Sequence, residues 1–394
     1  MPSTSRFLSH WFPKPLRDAI LSPTARIPIL LTHLFSLVIR VDAMLQEVTD
    51  TDGLKLPECP IPRCGEEVCW FRGFTRRHGI MLGHNSRGLA VVQSDEGAQI
   101  TCDFRELRAR DPLNRLGPNW QRLPGEAKIL RPSEEQLQRF KTLLDQRTPP
   151  GPRYSDLVTE IWARGFEVFL VGGTVRDVVS GEDSKDVDLV TTMPLALMRP
   201  LLRSMYNVED KGSRSNGFIR IGGTPTSGDP FIDVKMFSNC FIGTQDALFG
   251  GGFESDRKHR DFACNAVYFD PINAVLIDPT GNGINHAIDK ILQPICGTGD
   301  PRQMGHIYIR FAKFLMRGYK ADEVVIQTMQ VEYAACLGSL EMSEKVRYLT
   351  AQVVNKSTSD AAETLQVLRE SMEKIGHDDV YRTHFAPAIE RMTA

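Results

Sequence analysis

The sequence lacks an apolar run long enough to cross a bilayer. The longest, Ile27 to Ile39, is interrupted by Pro28 and His33, and a spanning helix needs about 20 residues. A buried amphipathic helix packed on the domain behind it is the better reading, and no membrane partner is expected. The chain also has almost no net charge, −2 at pH 7. No global pull toward nucleic acid or an anionic surface follows, so any electrostatic steering must come from local patches. Close cysteine pairs are missing as well. The eight cysteines stand at 59, 64, 69, 102, 240, 264, 296 and 336, which is no disulfide framework, and a chain of 394 residues does not need one. They read as reduced thiols in a cytosol-like compartment. Cys59, Cys64, Cys69 and Cys102, with His78 and His84 nearby in sequence, lack the CxxC pairing that structural zinc favours, so zinc is the minor reading. Arg6, Lys14, Arg17 and Arg26 against Asp18 resemble a targeting segment. Cytoplasm is the expected location and the mitochondrion the alternative.

What is present is ordinary globular material, 41 % hydrophobic and 24 % charged, of a length that suggests two to three domains. No internal repeat is visible. Residues 1–63 read as a helical extension and 64–131 as a small β-rich module, SH3-like in size. In that module Val68–Phe71, Ile80–Leu82, Leu89–Val92 and Ile100–Phe104 are short apolar or alternating runs separated by turn clusters. Its surplus of arginine is read either as an RNA-binding face or as a plain solvated surface, and periodicity does not decide. Residues 132–153 form a polar helix and a Pro-rich hinge. A head over 154–296 and a helical neck over 297–394 follow.

The readable chemistry lies after the hinge. A buried strand, Glu167 to Val171, runs into Gly172-Gly173-Thr174-Val175-Arg176-Asp177 and a helix. Two glycines there let the backbone approach a ligand, and a helix N-terminus offers unpaired N–H groups to a phosphate. Arg176 adds a bidentate phosphate donor. Asp186-Val187-Asp188 then reads as a strand whose i, i+2 spacing sets both carboxylates on one face. Two such carboxylates repel unless a cation sits between them, and hard oxygen ligands favour Mg²⁺. Asp233, in the alternating strand Phe231 to Phe237, is the candidate third carboxylate of a two-metal site. Asp270 and Asp278 abut turns or prolines and read as turn residues.

The ordered segments Leu170-Val171-Gly172-Gly173-x-x-Arg176-Asp177, Asp186-Val187-Asp188-Leu189-x-Thr191-Thr192 and Arg260-Asp261-Phe262-x-x-Asn265-Ala266 resemble the head of the class II tRNA nucleotidyltransferases and bacterial poly(A) polymerases. Ile277-Asp278-Pro279 to Gly283 with Ala287–Lys290, and Ser343–Arg347, extend the likeness into the neck. The resemblance covers about residues 154–375. It implies an α/β (α+β) fold, a polymerase-β-type mixed sheet with a helical neck. It also implies Asp186, Asp188 and Asp233 as metal ligands and catalytic residues. Gly172, Gly173, Arg176 and Asp177 would hold the triphosphate, and Arg260, Asp261 and Asn265 would lie against ribose and phosphates.

The family's base-selecting Glu-Asp-x-x-Arg reads Gly299-Asp300-Pro301-Arg302-Gln303 here, and Ile309-Arg310-Phe311 resembles the family's Ile-Arg-Phe one residue late. Asp300, Gln303 and Arg310 are therefore the candidates for base contact, with base choice changed or relaxed relative to the family. The implied activity is transfer of AMP and/or CMP from ATP or CTP to an RNA 3′-OH, with tRNA as the expected acceptor. Poly(A)-type tailing and a non-catalytic nucleotide- or RNA-binding regulator are the alternatives.

Overall fold

A computed structural model describes residues 46–47, 54–55, 61–72, 75–110, 123, 125–148, 151–184, 186–206, 216–222, 231–240, 242, 244–295, 299–355 and 360–393. The expected N-terminal helix, Cys59 and Lys185 lie outside them. The chain divides into two units, Met1–Gln46 and Glu47–Ala394, and the strands from residue 67 onward and the candidate site belong to the second.

After the two-residue strand β1 (Gln46–Glu47), an antiparallel sheet takes β2 (Glu67–Arg72), β3 (Thr75–Asn85), β4 (Ala90–Ser94), β5 (Gln99–Cys102) and β6 (Arg108–Ala109). Neighbours pair β6-β2-β3-β4-β5. Val68, Trp70, Met81 and Val92 enter the core, and Cys69 and Val91 on the other face are buried as well. This sheet does not end within its own segment. β12 (Ser238–Cys240) and β13 (Leu248–Phe249) from the head extend it, with Phe249 opposite His84 and Leu248 opposite Asn85. Gly83 makes that approach tolerable, since a Cβ there would collide with the Phe249 carbonyl oxygen.

The exchange runs both ways. β7 (Lys128–Arg131), read from sequence as part of the module, pairs with β15 (Val275–Asp278) of the head. The second sheet then continues through β14 (Tyr268–Asp270), β8 (Val168–Val171), β9 (Val187–Thr191), β11 (Phe231–Met236) and β10 (Phe218–Gly222). All neighbours are antiparallel except β9 and β11. The fold is mixed α/β. Short apolar strands such as Lys128–Arg131 can pair with either sheet, and no local signal in the sequence picks the partner.

Helices α1 (Glu134–Leu144), α2 (Tyr154–Ala163), α3 (Gly173–Val179), α4 (Leu195–Tyr206), α5 (Phe253–Arg257) and α6 (Gly283–Ile288) accompany this sheet. Ser133 and Gln136 start α1 with a reciprocal capping box. Phe169, Phe237, Phe253 and Tyr268 form an aromatic cluster against the sheet, with ring centroids 4.8–6.1 Å apart. Asp270 and Asp278 accept backbone N–H groups in turns, as expected. The neck begins with α7 (Pro301–Met316), whose Ile307, Tyr308, Phe311 and Phe314 are buried. Helices α8 (Glu323–Thr328), α9 (Met342–Leu349), α10 (Ala361–Lys374), α11 (Asp378–Val380) and α12 (Ala386–Thr393) follow. A π-helical turn, Thr350–Val354, prolongs α9. Among the described residues no helix is long and apolar enough to cross a membrane.

Candidate active site

The site begins where β8, buried along its whole length, meets α3. Gly172 caps that helix at φ +69°, a conformation costly for any residue with a Cβ. A Cβ there would stand 3.4 Å from Asp188 Oδ2 and 3.9 Å from Arg260 Nη1, so the glycine keeps the space beside that carboxylate open. Thr174 fastens the turn to β9. Its hydroxyl donates to the Asp186 carbonyl and accepts the Asp188 N–H, both at 3.0 Å.

Across the sheet the register sets Asp188 opposite Asp233, and Asp233 opposite Arg220. Opposite residues share a face, so three strands present charge side by side. Each carboxylate has its own internal cation. Lys235 Nζ lies 3.1 Å from Asp188 Oδ1, and Arg220 grips both oxygens of Asp233 at 2.7 and 2.6 Å. Burial alone would raise the Asp188 carboxyl, but Lys235, Arg260 and Arg310 together hold it below the usual carboxylate range. Asp233, expected as a third metal ligand, thus spends its oxygens on Arg220. Among the described residues no three His, Cys, Asp or Glu side chains are grouped closely enough to hold a metal. The Asp186–Asp188 pair still suits a hard cation by its oxygen donors and by the room that Gly172 leaves.

A second group of the expected residues forms a buried chain. Arg176 donates to Asp177 Oδ1 at 2.9 and 2.6 Å and to Asn265 Oδ1 at 2.6 Å. Asn265 Nδ2 in turn donates to Asp261 Oδ1 at 2.8 Å. The other Asp261 oxygen lies 2.6 Å from Arg310 Nε. Burial opposes ionisation of Asp261, yet Arg310 and the Asn265 amide keep its carboxyl low. Arg260 is held separately by Asp256 Oδ2, at 3.0 and 2.6 Å, and the Tyr268 hydroxyl donates to that same oxygen at 2.6 Å. Asp256 has no place in the sequence reading. It sits four residues before Arg260, the helical spacing that would have pointed to it.

A cavity of about 760 Å³ joins these parts. Of the expected residues, Gly173, Arg176, Asp177, Asp186, Asp188, Asp233 and Arg310 line it. Gly172, Arg260, Asp261 and Asn265 stand behind the lining. Asp300 and Gln303 do not reach it. Asp300 caps α7, accepting the Arg302 N–H at 3.0 Å, and ten residues of helix put its start about 15 Å from Arg310. On the opposite wall the sequence reading had Arg310 but missed Lys313, Arg317 and Gln352. Lys313 and Arg317 follow Arg310 at i+3 and i+7 on one face of α7, and Gln352 of the π-helical turn faces them. Lys313 Nζ donates to Gln352 Oε1 at 3.2 Å. Burial, then Arg310 and Arg176, push the Lys313 amine well below its ordinary range.

Residues 168–293 match the family model described as the poly A polymerase head domain. The chain is 29 % identical over 162 residues to the CCA-adding enzyme of Geobacillus kaustophilus, spanning 39 % of this chain and 37 % of that protein. It is 28 % identical over 138 residues to poly(A) polymerase I of Haemophilus influenzae, spanning 31 % and 29 %. Among solved structures, the Bacillus stearothermophilus CCA-adding enzyme in complex with CTP aligns at 20 % identity with a TM-score of 0.41, covering 55 % of this chain and 50 % of that one. The chain spans about a third of the length of the curated relatives it matches. The match to the poly A polymerase head domain falls on the same segment whose motifs resemble the class II tRNA nucleotidyltransferases and poly(A) polymerases.

Proposed function

We propose that the protein is an RNA nucleotidyltransferase that moves AMP and/or CMP from ATP or CTP to an RNA 3′-OH, with the tRNA 3′ end as acceptor. The observation that supports this most is the cavity itself. Asp186 and Asp188 stand beside an open glycine turn, and Arg176, Arg310, Lys313 and Arg317 line the same cavity. That is a charge pattern for a metal-bound triphosphate, and it sits in a chain that carries a poly(A) polymerase head domain. Asp186 and Asp188 would hold Mg²⁺, which lowers the pKa of an attacking hydroxyl and neutralises charge on phosphate oxygens when bound. Asp233 would join them only when Arg220 releases it. Gly172 and Gly173 admit the triphosphate to the N-terminus of α3, and Arg176 meets it from a position fixed by Asp177 and Asn265. These residues orient the α-phosphate for in-line attack, which is where such catalysis gains most. Behind them, Arg260, Asp261 and Asn265 set the position of the donors that touch substrate. Base choice is assigned to the neighbourhood of Arg310 rather than to Asp300 and Gln303, which lie off the cavity. The cytoplasm is the proposed location.

The test is incubation of purified protein with Mg²⁺, bulk tRNA and each labelled NTP in turn, read as 3′-end extension on a denaturing gel. Label from ATP and CTP alone, limited to a few nucleotides, is the expected result. Long products from ATP alone would make it a poly(A)-type enzyme. No incorporation by a protein that still binds ATP would replace the transferase reading with a regulatory one.

A further inference from the structure

The N-terminal sheet has a solvent face that the transferase reading leaves unused. Phe71 on β2 is 66 % exposed and Ile80 on β3 is 46 % exposed, two of the few large apolar side chains so placed. The register sets Phe71 opposite Arg76, Glu67 opposite Ile80 and Cys69 opposite Arg108. Since opposite residues share a face, Phe71, Ile80, Arg76 and Arg108 share one with Glu67 and with Cys69, which is buried beneath the arginines. Other arginines of the module are spent on carboxylates, Arg77 on Glu96, Arg105 on Asp103 and Arg110 on Glu67. Arg76 and Arg108 are not. Arg76 Nη2 donates to Cys69 Sγ at 3.3 Å, and Arg108 Nη1 donates to the Arg105 and Leu107 carbonyls. Among the described residues neither meets an acid.

An exposed ring beside two arginines without acidic partners is a stacking platform with phosphate donors, the combination that single-stranded nucleic acid requires. A protein partner would leave those two charges uncompensated, whereas a polyanion answers both. We propose that this face, centred on Phe71, binds a single-stranded segment of the RNA substrate, one base stacked on Phe71 and adjacent phosphates on Arg76 and Arg108. The surface is carried rigidly, because the far end of β3 pairs with β13 of the head. Nine residues of strand set Arg76 about 30 Å from that seam, a reach suited to a segment remote from the 3′ end. The proposal rests on the reading that the head acts on RNA, and the experiment separates the two.

Full-length protein is titrated against a fluorescein-labelled single-stranded RNA of roughly 12 nucleotides, the upper range of one such platform, with ATP binding and transfer to bulk tRNA measured alongside. Phe71→Ala should weaken RNA binding roughly five- to hundredfold, the span that stacking of one base implies. Phe71→Trp should keep it, and ATP binding should not change. Arg76→Ala with Arg108→Ala should flatten the log–log salt slope by about 1.4, two phosphate contacts on a single strand. All three side chains reach solvent, so the folded state should survive. RNA affinity and salt slope equal to wild type in these variants would overturn the proposal, as would a change in oligomeric state by light scattering in place of a change in RNA affinity. If RNA binding responds as expected while wild type transfers no nucleotide, the surface stands and the transferase reading falls. If wild type transfers nucleotide while the variants bind RNA normally, the transferase reading stands and the surface falls.

Discussion

The two walls of the cavity differ in how their charges are held. The sheet wall, from β9, β10 and β11, presents Asp188 and Asp233 each already matched to a cation of the same sheet, Lys235 and Arg220. The neck wall, from α7 and the π-helical turn, presents Arg310 paired with Asp261, Arg317 paired with Asp177 and Glu182, and Lys313, which donates to the neutral amide of Gln352 and has no acidic partner among the described residues. A wall balanced by its own residues keeps its geometry with or without ligand, as a catalytic carboxylate needs. The Lys313 charge, which no acid of the described residues answers, is completed by what binds. Under the proposed function, this comparison assigns chemistry to the sheet and nucleotide capture to the neck.

The harshest test is Asp188→Ala, with Asp186→Ala beside it. Metal-assisted charge stabilisation is worth several kcal/mol, so turnover should fall by about three orders of magnitude or more, while circular dichroism and melting stay close to wild type. Near-normal turnover in either folded variant would remove the sheet wall from the chemistry.

Asp233 separates the two carboxylates of that wall. Its side chain is 8 % exposed and its bidentate partner Arg220 is 22 % exposed. Removing one member of such a pair strands the other. Asp233→Asn should therefore cost about 3 kcal/mol of stability, with a smaller loss of turnover than Asp188→Ala. Urea denaturation of Asp233→Asn, Arg220→Met and the double variant checks this, since the double variant should recover much of the loss. A loss of turnover as deep as that of Asp188→Ala, at unchanged stability, would instead put Asp233 on the metal during the cycle.

The same contrast explains what the sequence disclosed. A period of two is a strong local signal, so Asp188 and Asp233 could be placed on strand faces before any fold was known, whereas Asp186, read as part of the same strand, stands in the bend just before β9. The glycine turn was equally legible, because few residues other than glycine accept φ +69°. Counter-ions were not. Lys235 reaches Asp188 across a parallel pairing, and Arg220 meets Asp233 only once β10 and β11 are in register. The neck wall was hidden for another reason. Arg310, Lys313 and Arg317 have a readable helical spacing, but which face of α7 looks into the cavity is set by the packing of residues 329–339 and of α10 on it. Motif likeness pointed to Arg310, which lines the cavity, and also to Asp300 and Gln303, about two to three helical turns away. The exchange of β7, β12 and β13 between the two sheets is non-local pairing with no turn signal to announce it.

The smallest expected effect bears on the neck wall and tests whether its charge is the variable one. Lys313→Gln keeps a hydrogen-bonding side chain and removes the charge, so ATP affinity should drop about tenfold, the scale of one charge-assisted hydrogen bond, with kcat nearly unchanged. The pH dependence carries more information. Burial and the neighbouring Arg310 and Arg176 lower the Lys313 amine well below its ordinary range, while Arg317 on the same face stays charged. As pH rises through that lowered value, wild type should lose ATP affinity. Stability should move the other way. Between the folded and unfolded values the unfolded chain binds more protons at this lysine, so unfolding becomes harder with rising pH. Lys313→Arg, whose guanidinium keeps its proton, should abolish the alkaline loss of affinity. Isothermal titration of ATP across neutral to alkaline pH, with urea melts on the same samples, reads both trends. Parallel trends, or an alkaline loss that survives in Lys313→Arg, would mean that the neck wall is as fixed in charge as the sheet wall facing it.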